Sequence, residues 1–98
     1  MKVRITSAAE ADLEAIADWI ATDNPSRAVT FIKELREKCF GLAHLPKRFP
    51  VFGSIDGEII RKRSYRSYAI FYLVRPHSVE IVHVLHGAQN LPVLLGMK

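Results

Sequence analysis

The chain has 98 residues, a formal net charge of +4 and a hydrophobic fraction of 49%. A chain of this length is expected to fold as one domain, residues 1–98, around a single apolar core. No stretch approaches the roughly 20 apolar residues of a membrane span, and acidic side chains interrupt the apolar ones near the start, unlike in a secretory signal. We therefore expect a cytoplasmic protein that does not bind a membrane.

Charge distribution and cysteine content narrow the classes further. Residues 1–45 hold six Lys or Arg against seven Asp or Glu, whereas residues 46–98 hold eight against three. The basic second half favours phosphates or an acidic protein segment as partner, although basic surfaces also occur in proteins that bind neither. The single cysteine, Cys39, provides no internal disulfide and no set of metal ligands, so we expect neither structural zinc nor a cofactor.

The first half of the chain has the pattern of a strand followed by two helices. Residues 2–6 alternate polar and apolar side chains, as a half-buried strand does. Ser7 and Glu10 have the spacing of a capping box at a helix start, and Asn24-Pro25 ends this helix and opens a second. Apolar stripes of helical period predict that both helices pack on a core. The stripes are Ala9, Leu13, Ile16 and Ile20, then Ala28, Ile32, Leu35, Cys39 and Leu42.

The second half is predicted to be mostly strand. The second helix should end near His44, and residues 45–57, with two prolines, two glycines and no sustained period, predict a loop. Segments rich in Ile, Val, Phe and Tyr follow at 58–65, 67–75 and 79–86, and the short turns between them predict an antiparallel meander. The expected fold is α+β, with an N-terminal strand, an antiparallel helix hairpin and a three-stranded meander that completes one curved sheet.

Four segments in this order resemble the ParE branch of the RelE/ParE toxin superfamily. They are AAEADLEAIADWI at 8–20, DNP at 23–25 with Ala28 and Phe31, YAIFY at 68–72 and IVHVLHGA at 81–88. The resemblance covers nearly the whole chain. It implies a RelE/ParE-like fold and the toxin of a two-component toxin–antitoxin pair.

The resemblance also implies partners. A ParD-like antitoxin would neutralise the toxin by folding an acidic segment onto it, and operator DNA would be bound only through that antitoxin. ParE-like toxins poison DNA gyrase, whereas RelE-like relatives cleave messenger RNA in the ribosomal A site. Of the RelE nuclease positions, this chain has Ala69 and Gln89 at two basic ones, no tyrosine in its tail, and a match only at Lys62.

Three functions therefore stay open at this point. The missing nuclease residues favour a gyrase inhibitor without catalytic residues. The alternatives are a RelE-type endonuclease with an altered site and a degenerate toxin that only binds its antitoxin.

The candidate target-binding residues are basic and cluster on the first predicted strand of the meander and the turn after it. They are Arg61, Lys62, Arg63 and Arg66. Strand alternation places Arg61 and Arg63 on one face and Lys62 on the other. The alternative is a solvated strand whose charges prevent aggregation at an edge.

Apolar and aromatic residues are the candidate contacts for the antitoxin. They are Trp19, Phe31, Tyr65, Leu91 and Leu94. Trp19 lies beside the apolar Ile20, which favours packing at the margin of the core over a contact with the partner. His83 and His86 are three residues apart on a predicted strand and should point to opposite faces, so we expect structural roles for them and no shared catalytic or metal site.

Overall fold

The computed structural model describes residues 1–87, in which two helices lie on one side of a five-stranded sheet. Within these residues neither helix is long and apolar enough to cross a membrane. Two short 3₁₀ turns, at Gly41–Ala43 and Pro46–Arg48, follow the second helix. The helices and strands are β1 (Lys2–Ile5), α1 (Ser7–Ala21), α2 (Pro25–Phe40), β2 (Val51–Ile55), β3 (Glu58–Tyr65), β4 (Tyr68–Val74) and β5 (Ser78–His86).

The strands lie in the order β1-β5-β4-β3-β2. The N-terminal strand β1 pairs in parallel with β5, and every other neighbouring pair is antiparallel. This arrangement confirms the predicted α+β fold, the helix hairpin and the meander of β3, β4 and β5. It adds one strand, β2, to the predicted sheet.

The prediction of a loop over residues 45–57 is wrong for its second half, because β2 lies there. A register shift between Val51 and Gly53 breaks the alternation of side chains, which removes the period that identifies a strand. The turn Asp56-Gly57 has positive φ at both residues, 51° and 80°. Asp-Gly in this conformation is a favoured two-residue hairpin turn, and it was the available sequence signal for the missed strand.

The start of α1 also differs from the prediction, since Thr6 and not Ser7 caps the helix. The Thr6 Oγ1 accepts a hydrogen bond from Ala9 N at 3.2 Å and donates one to the Ile81 carbonyl at 2.8 Å. Glu10 consequently lies one position too late for a capping box and instead binds Arg36 of α2, with two N–O distances of 2.8 Å. The Thr6 hydroxyl thus joins the helix start to the neighbouring β5.

The predicted second helix start and both apolar stripes are confirmed. Asn24 caps α2 by accepting a hydrogen bond from Arg27 N at 3.1 Å, and Pro25 is its first residue. The helix ends at Phe40, a turn earlier than expected. Stripe residues of both helices pack with the helix-facing side of β4 and β5. The buried members of this core are Ala9, Leu13, Ile16, Phe31, Leu35, Cys39, Leu42, Ile70, Tyr72, Val79, Ile81 and Val84.

The opposite, helix-free face of the sheet carries a second apolar cluster. Its buried members are Ile60, Ala69, Phe71, Leu73 and Leu85. The β2 strand contributes Phe52, whose ring lies 5.0 Å from that of Phe71 in an edge-to-face contact. Strand β2 therefore enlarges the apolar surface that β3, β4 and β5 form on the helix-free face.

Asp12 closes the edge of β5 beyond the end of β1. Strand β1 pairs with β5 only as far as Ile81, and the carboxylate of Asp12 accepts a hydrogen bond from the buried Val84 N at 2.9 Å. The same carboxylate oxygen lies 2.8 Å from Nδ1 of His83. One side chain of α1 thereby replaces a strand partner and sets the distance between helix and sheet.

We predict that Asp12→Ala lowers the free energy of unfolding by about 1–3 kcal/mol, because it leaves the buried Val84 N–H without an acceptor. Urea denaturation followed by circular dichroism measures this. The matched control is Asp18→Ala, which removes an equal charge at an exposed position of α1. Equal stability of the two variants would contradict the proposed role of Asp12.

Candidate functional site

The basic residues of β3 divide between the two faces of the sheet, as strand alternation predicts. On the helix side, Arg61 Nη1 donates to the carbonyls of Lys47 and Phe49 at 3.1 and 2.8 Å. Arg63 Nη1 donates to the Lys38 carbonyl at 2.9 Å. The Lys62 ammonium lies on the other face, 5.6 Å from the centroid of the Phe52 ring. The cluster that is continuous in sequence is therefore two surfaces in space.

The helix-side arginines of β3 fasten the connection between α2 and β2 to the sheet. The fully buried Tyr72 of β4 adds a hydrogen bond from its hydroxyl to the Pro46 carbonyl at 2.5 Å. Burial raises the pKa of Tyr72, although the positive charges of Arg61 and Arg63 act in the opposite direction. The hydroxyl therefore stays protonated and donates.

Arg66 occupies the turn between β3 and β4 and is exposed. Its φ of 54° lies in the left-handed region, and its guanidinium lies 5.7 Å from the centroid of the Tyr65 ring. Lys38 approaches the same ring at 5.3 Å. Of the four target-binding candidates, Lys62 and Arg66 thus present their charged groups outward, whereas Arg61 and Arg63 bind backbone carbonyls.

A carboxylate on α2 holds the end of β3 against the helix. Glu34 binds Arg27 at 2.5 Å and accepts a hydrogen bond from the Tyr65 hydroxyl. Hydrogen bonds from Arg27 and then Tyr65 lower the pKa of Glu34 to about 2. Tyr65, an antitoxin-contact candidate, is therefore half-buried and already engaged through its hydroxyl.

We predict that the stability difference between the wild type and Glu34→Gln shrinks in acid. The folded pKa of Glu34 lies below its ordinary value of 4.5, so its ion pair stabilises the fold fully above about pH 4.5 and loses this effect as the pH falls through about 2. Thermal denaturation at several pH values measures the difference. Glu37→Gln, an exposed carboxylate on α2, is the control, and a pH-independent difference for Glu34→Gln would contradict the assignment.

A groove of about 330 Å³ opens between α1 and the end of β5. Trp19 stands at its rim with 73% of its surface exposed, so it does not pack in the core margin. The floor and walls include Asp12, Ile16, Tyr68 and His86. Tyr68 and His86 were not among the predicted contacts, because their proximity to Trp19 depends on which strand lies beside α1.

The other antitoxin-contact candidates lie elsewhere. Phe31 is only 5% exposed and belongs to the core, because it continues the apolar stripe of α2 and packs against the rings of Tyr65 and Tyr68 at centroid distances of 5.9 and 5.5 Å. Its small exposed surface leaves little for a partner to contact. Leu91 and Leu94 lie outside the described residues.

The two histidines of β5 face opposite sides of the sheet, as expected. His83 pairs across the strands with Phe71 of the helix-free face and binds Asp12 around the edge of β5. The His86 ring lies on the helix side, 5.3 Å from that of Tyr68. Residues 1–87 contain no group of three His, Cys, Asp or Glu side chains that could hold a metal ion. Burial raises the pKa of the Cys39 thiol to about 12, so this side chain is a protonated core residue.

Known structures share this fold. A chain of the chromosomal ParDE toxin–antitoxin system from P. aeruginosa matches with a TM-score of 0.75 and 20% identity, over 88% of this chain and 95% of that one. A chain of the RelBE2 toxin–antitoxin complex from Mycobacterium tuberculosis matches with a TM-score of 0.60 and 26% identity, over 90% and 92%. No curated protein matches the sequence. The fold is thus that of the RelE/ParE-like toxins.

The family is shown by the sequence itself. Residues 3–91 match the family model described as the ParE toxin of the type II toxin–antitoxin system parDE. The chain belongs to the ParE toxin family.

Proposed function

We propose that this ParE-type toxin arrests growth by binding and inhibiting DNA gyrase in the cytoplasm, without catalysing a reaction. A ParD-like antitoxin neutralises it, and operator DNA is contacted only through that antitoxin. Family membership supports the gyrase target over RNA cleavage. The observation that carries the proposal is the division of the β3 cations between two faces of the sheet.

RNA cleavage by the 2′-hydroxyl needs cations at the phosphate and proton-transfer groups beside the attacking and leaving oxygens. Arg61 and Arg63 bind backbone carbonyls on the helix side, which separates them from Lys62. On the described part of the helix-free face, the neighbours of Lys62 are largely apolar. The arrangement favours a surface that binds a protein over one that cleaves a phosphodiester.

A RelE-type endonuclease is the second candidate, and one observation favours it. Lys62 pairs with Phe71, which pairs with His83, so a lysine and a histidine lie in one row across the helix-free face. Their backbones are two strand spacings apart, roughly 10 Å. Lys62 would stabilise phosphate charge and His83 would move a proton in such a site.

We predict that the purified toxin blocks supercoiling of relaxed plasmid by gyrase, and that Lys62→Gln with Arg66→Gln raises the inhibitory concentration roughly tenfold, as loss of about 1.4 kcal/mol of binding would. These residues carry the outward charges, and neither is required to hold the α2–β2 connection. Lys2→Gln with Lys33→Gln, which removes two exposed charges elsewhere, should inhibit like the wild type.

Three outcomes would count against gyrase as the target, one from this supercoiling assay and two from companion experiments. Normal supercoiling at saturating toxin would exclude inhibition by binding. Cleavage of messenger RNA by the toxin in a translation extract, together with loss of this cleavage in both Lys62→Gln and His83→Ala, would instead identify the protein as an endonuclease. Normal growth on strong expression without the antitoxin would instead favour a degenerate toxin.

The groove between α1 and β5 is the proposed antitoxin site. An amphipathic helix of the antitoxin would place apolar side chains against Ile16, Trp19 and Tyr68, as in helix-in-groove recognition. An exposed tryptophan at the rim of an apolar groove is a typical anchor of such interfaces. Phe31 is omitted from this site because of its burial. Tyr65 lies outside the groove, so an antitoxin that also contacts Tyr65 would have to extend beyond the groove to the exposed part of its ring.

We predict that Trp19→Ala weakens antitoxin affinity by about 2 kcal/mol or more, roughly thirtyfold, because it removes a large apolar contact. Isothermal titration calorimetry with the purified antitoxin measures this. Val29→Ala is the control, since Val29 is equally exposed, at 72%, but lies on α2 and outside the groove. Unchanged affinity for Trp19→Ala, or an equal loss in both variants, would contradict the proposed site.

A further inference from the structure

Three guanidinium groups gather around the connection between α2 and β2. Arg48 and Arg63 each lie over the ring of Phe49, both at 4.8 Å from its centroid, so their separation is at most twice that distance. Arg61 binds the Phe49 carbonyl at 2.8 Å. One residue of the connection therefore brings together arginines from the 3₁₀ turn and from β3.

The positions of these guanidinium groups are fixed by the fold. Arg63 binds the last turn of α2 and packs closely there, since a Cβ at Gly41 would lie 3.3 Å from its Nη1. Arg61 is held by two carbonyls. A binding group whose geometry is set before the ligand arrives loses less conformational entropy on binding.

No carboxylate of the described residues balances this charge. The ion pairs between arginine and carboxylate within residues 1–87 engage Arg4, Arg27, Arg36 and Arg75, and not Arg48, Arg61 or Arg63. Partial burial and then the charge of Arg48 lower the pKa of Arg63. Like charges are thus held together by packing and carbonyl contacts, and an anion among them would relieve their repulsion.

The three groups retain donors for such an anion. A guanidinium carries five N–H donors, and the contacts with carbonyls use only the Nη1 of Arg61 and of Arg63. Arg48 is exposed. A carboxylate offers two oxygens, whereas a phosphate group offers more acceptors and a tetrahedral arrangement that several arginine forks can bind together.

We propose that Arg48, Arg61 and Arg63 form a binding site for a phosphate group. The site lies on the helix side of the sheet and is separate from the outward charges of Lys62 and from the groove at Trp19. It does not depend on gyrase as the target. The phosphate belongs either to a small phosphorylated molecule or to the backbone of a nucleic acid, since both have the same acceptor chemistry.

The test is calorimetric titration of the full-length toxin with pyrophosphate and, separately, with a short oligothymidylate. Ionic strength is kept constant with chloride, because salt screens unspecific attraction. We expect Arg48→Gln to weaken binding about tenfold, as loss of one charge-assisted contact does, and Arg48→Gln with Arg63→Gln to abolish it. The backbone N–H of Arg48 donates to the Leu45 carbonyl at 3.1 Å, which Arg48→Gln leaves in place. The Arg48 side chain makes no hydrogen bond to another described residue, so this variant tests the site without breaking a side-chain hydrogen bond of the fold.

Lys2→Gln with Lys33→Gln is the control for net charge and should bind within about twofold of the wild type. If pyrophosphate alone binds, the ligand is a small phosphorylated molecule. If the oligothymidylate binds and pyrophosphate displaces it, the ligand is a nucleic-acid backbone. No binding of either ligand, unchanged binding by Arg48→Gln, or an equal loss in the control would overturn the proposal.

Discussion

Polar side chains on the helix side of β3 and β4 bind backbone carbonyls of the last turn of α2 and of the α2–β2 connection, and the remaining architecture depends on these contacts. Arg61, Arg63 and Tyr72 each reach a carbonyl that is at least twelve residues away in sequence. A backbone segment packed on a sheet needs partners for its carbonyls, and these three side chains supply them. Strand β2 can then pair at the edge of β3 and extend the helix-free face.

This constraint separates the surfaces on which different partners would bind. The helix side presents an apolar groove beside Trp19 and, at the other end of the sheet, the arginines around Phe49. The helix-free face presents Lys62 over an apolar cluster. A toxin with separate surfaces can bind its antitoxin tightly at one of them while the contacts with its target evolve at another. In the proposed function, no catalytic group has to be blocked for the antitoxin to neutralise the toxin.

Periodicity in the sequence predicted the parts of the fold that follow from local chemistry. Both helix stripes, the Asn24 cap, the meander and the division of Arg61 and Arg63 from Lys62 could be derived from spacing alone. Strand β2 could not be predicted from periodicity, because the irregularity between Val51 and Gly53 interrupts the alternation of side chains. The capping residue was misplaced by one position because Thr6 and Ser7 have the same chemistry, and only the contact with Ile81 distinguishes them.

The candidate site was harder to predict than the fold, since it depends on contacts between distant residues. Arg61, Arg63 and Lys62 are all positively charged, so charge alone predicted that each of them contacts the target. Arg61 and Arg63 instead bind backbone carbonyls of residues that lie between 12 and 25 positions away in the sequence. Phe31 was predicted to contact the antitoxin, but it is buried because its ring packs against those of Tyr65 and Tyr68. The exposure of Trp19 depends on the groove that β5 forms beside α1, and the sequence contains no local signal for that groove.

The most direct test of the central claim is the topology of a reporter plasmid extracted from cells at the moment when expression of the toxin stops growth. Inhibition of gyrase predicts that the plasmid loses its negative supercoils before translation declines, while messenger RNA remains intact and co-expression of the antitoxin restores supercoiling. A plasmid of normal superhelical density, together with messages cut within their reading frames, would contradict the account and assign the toxin to the endonuclease branch of the superfamily.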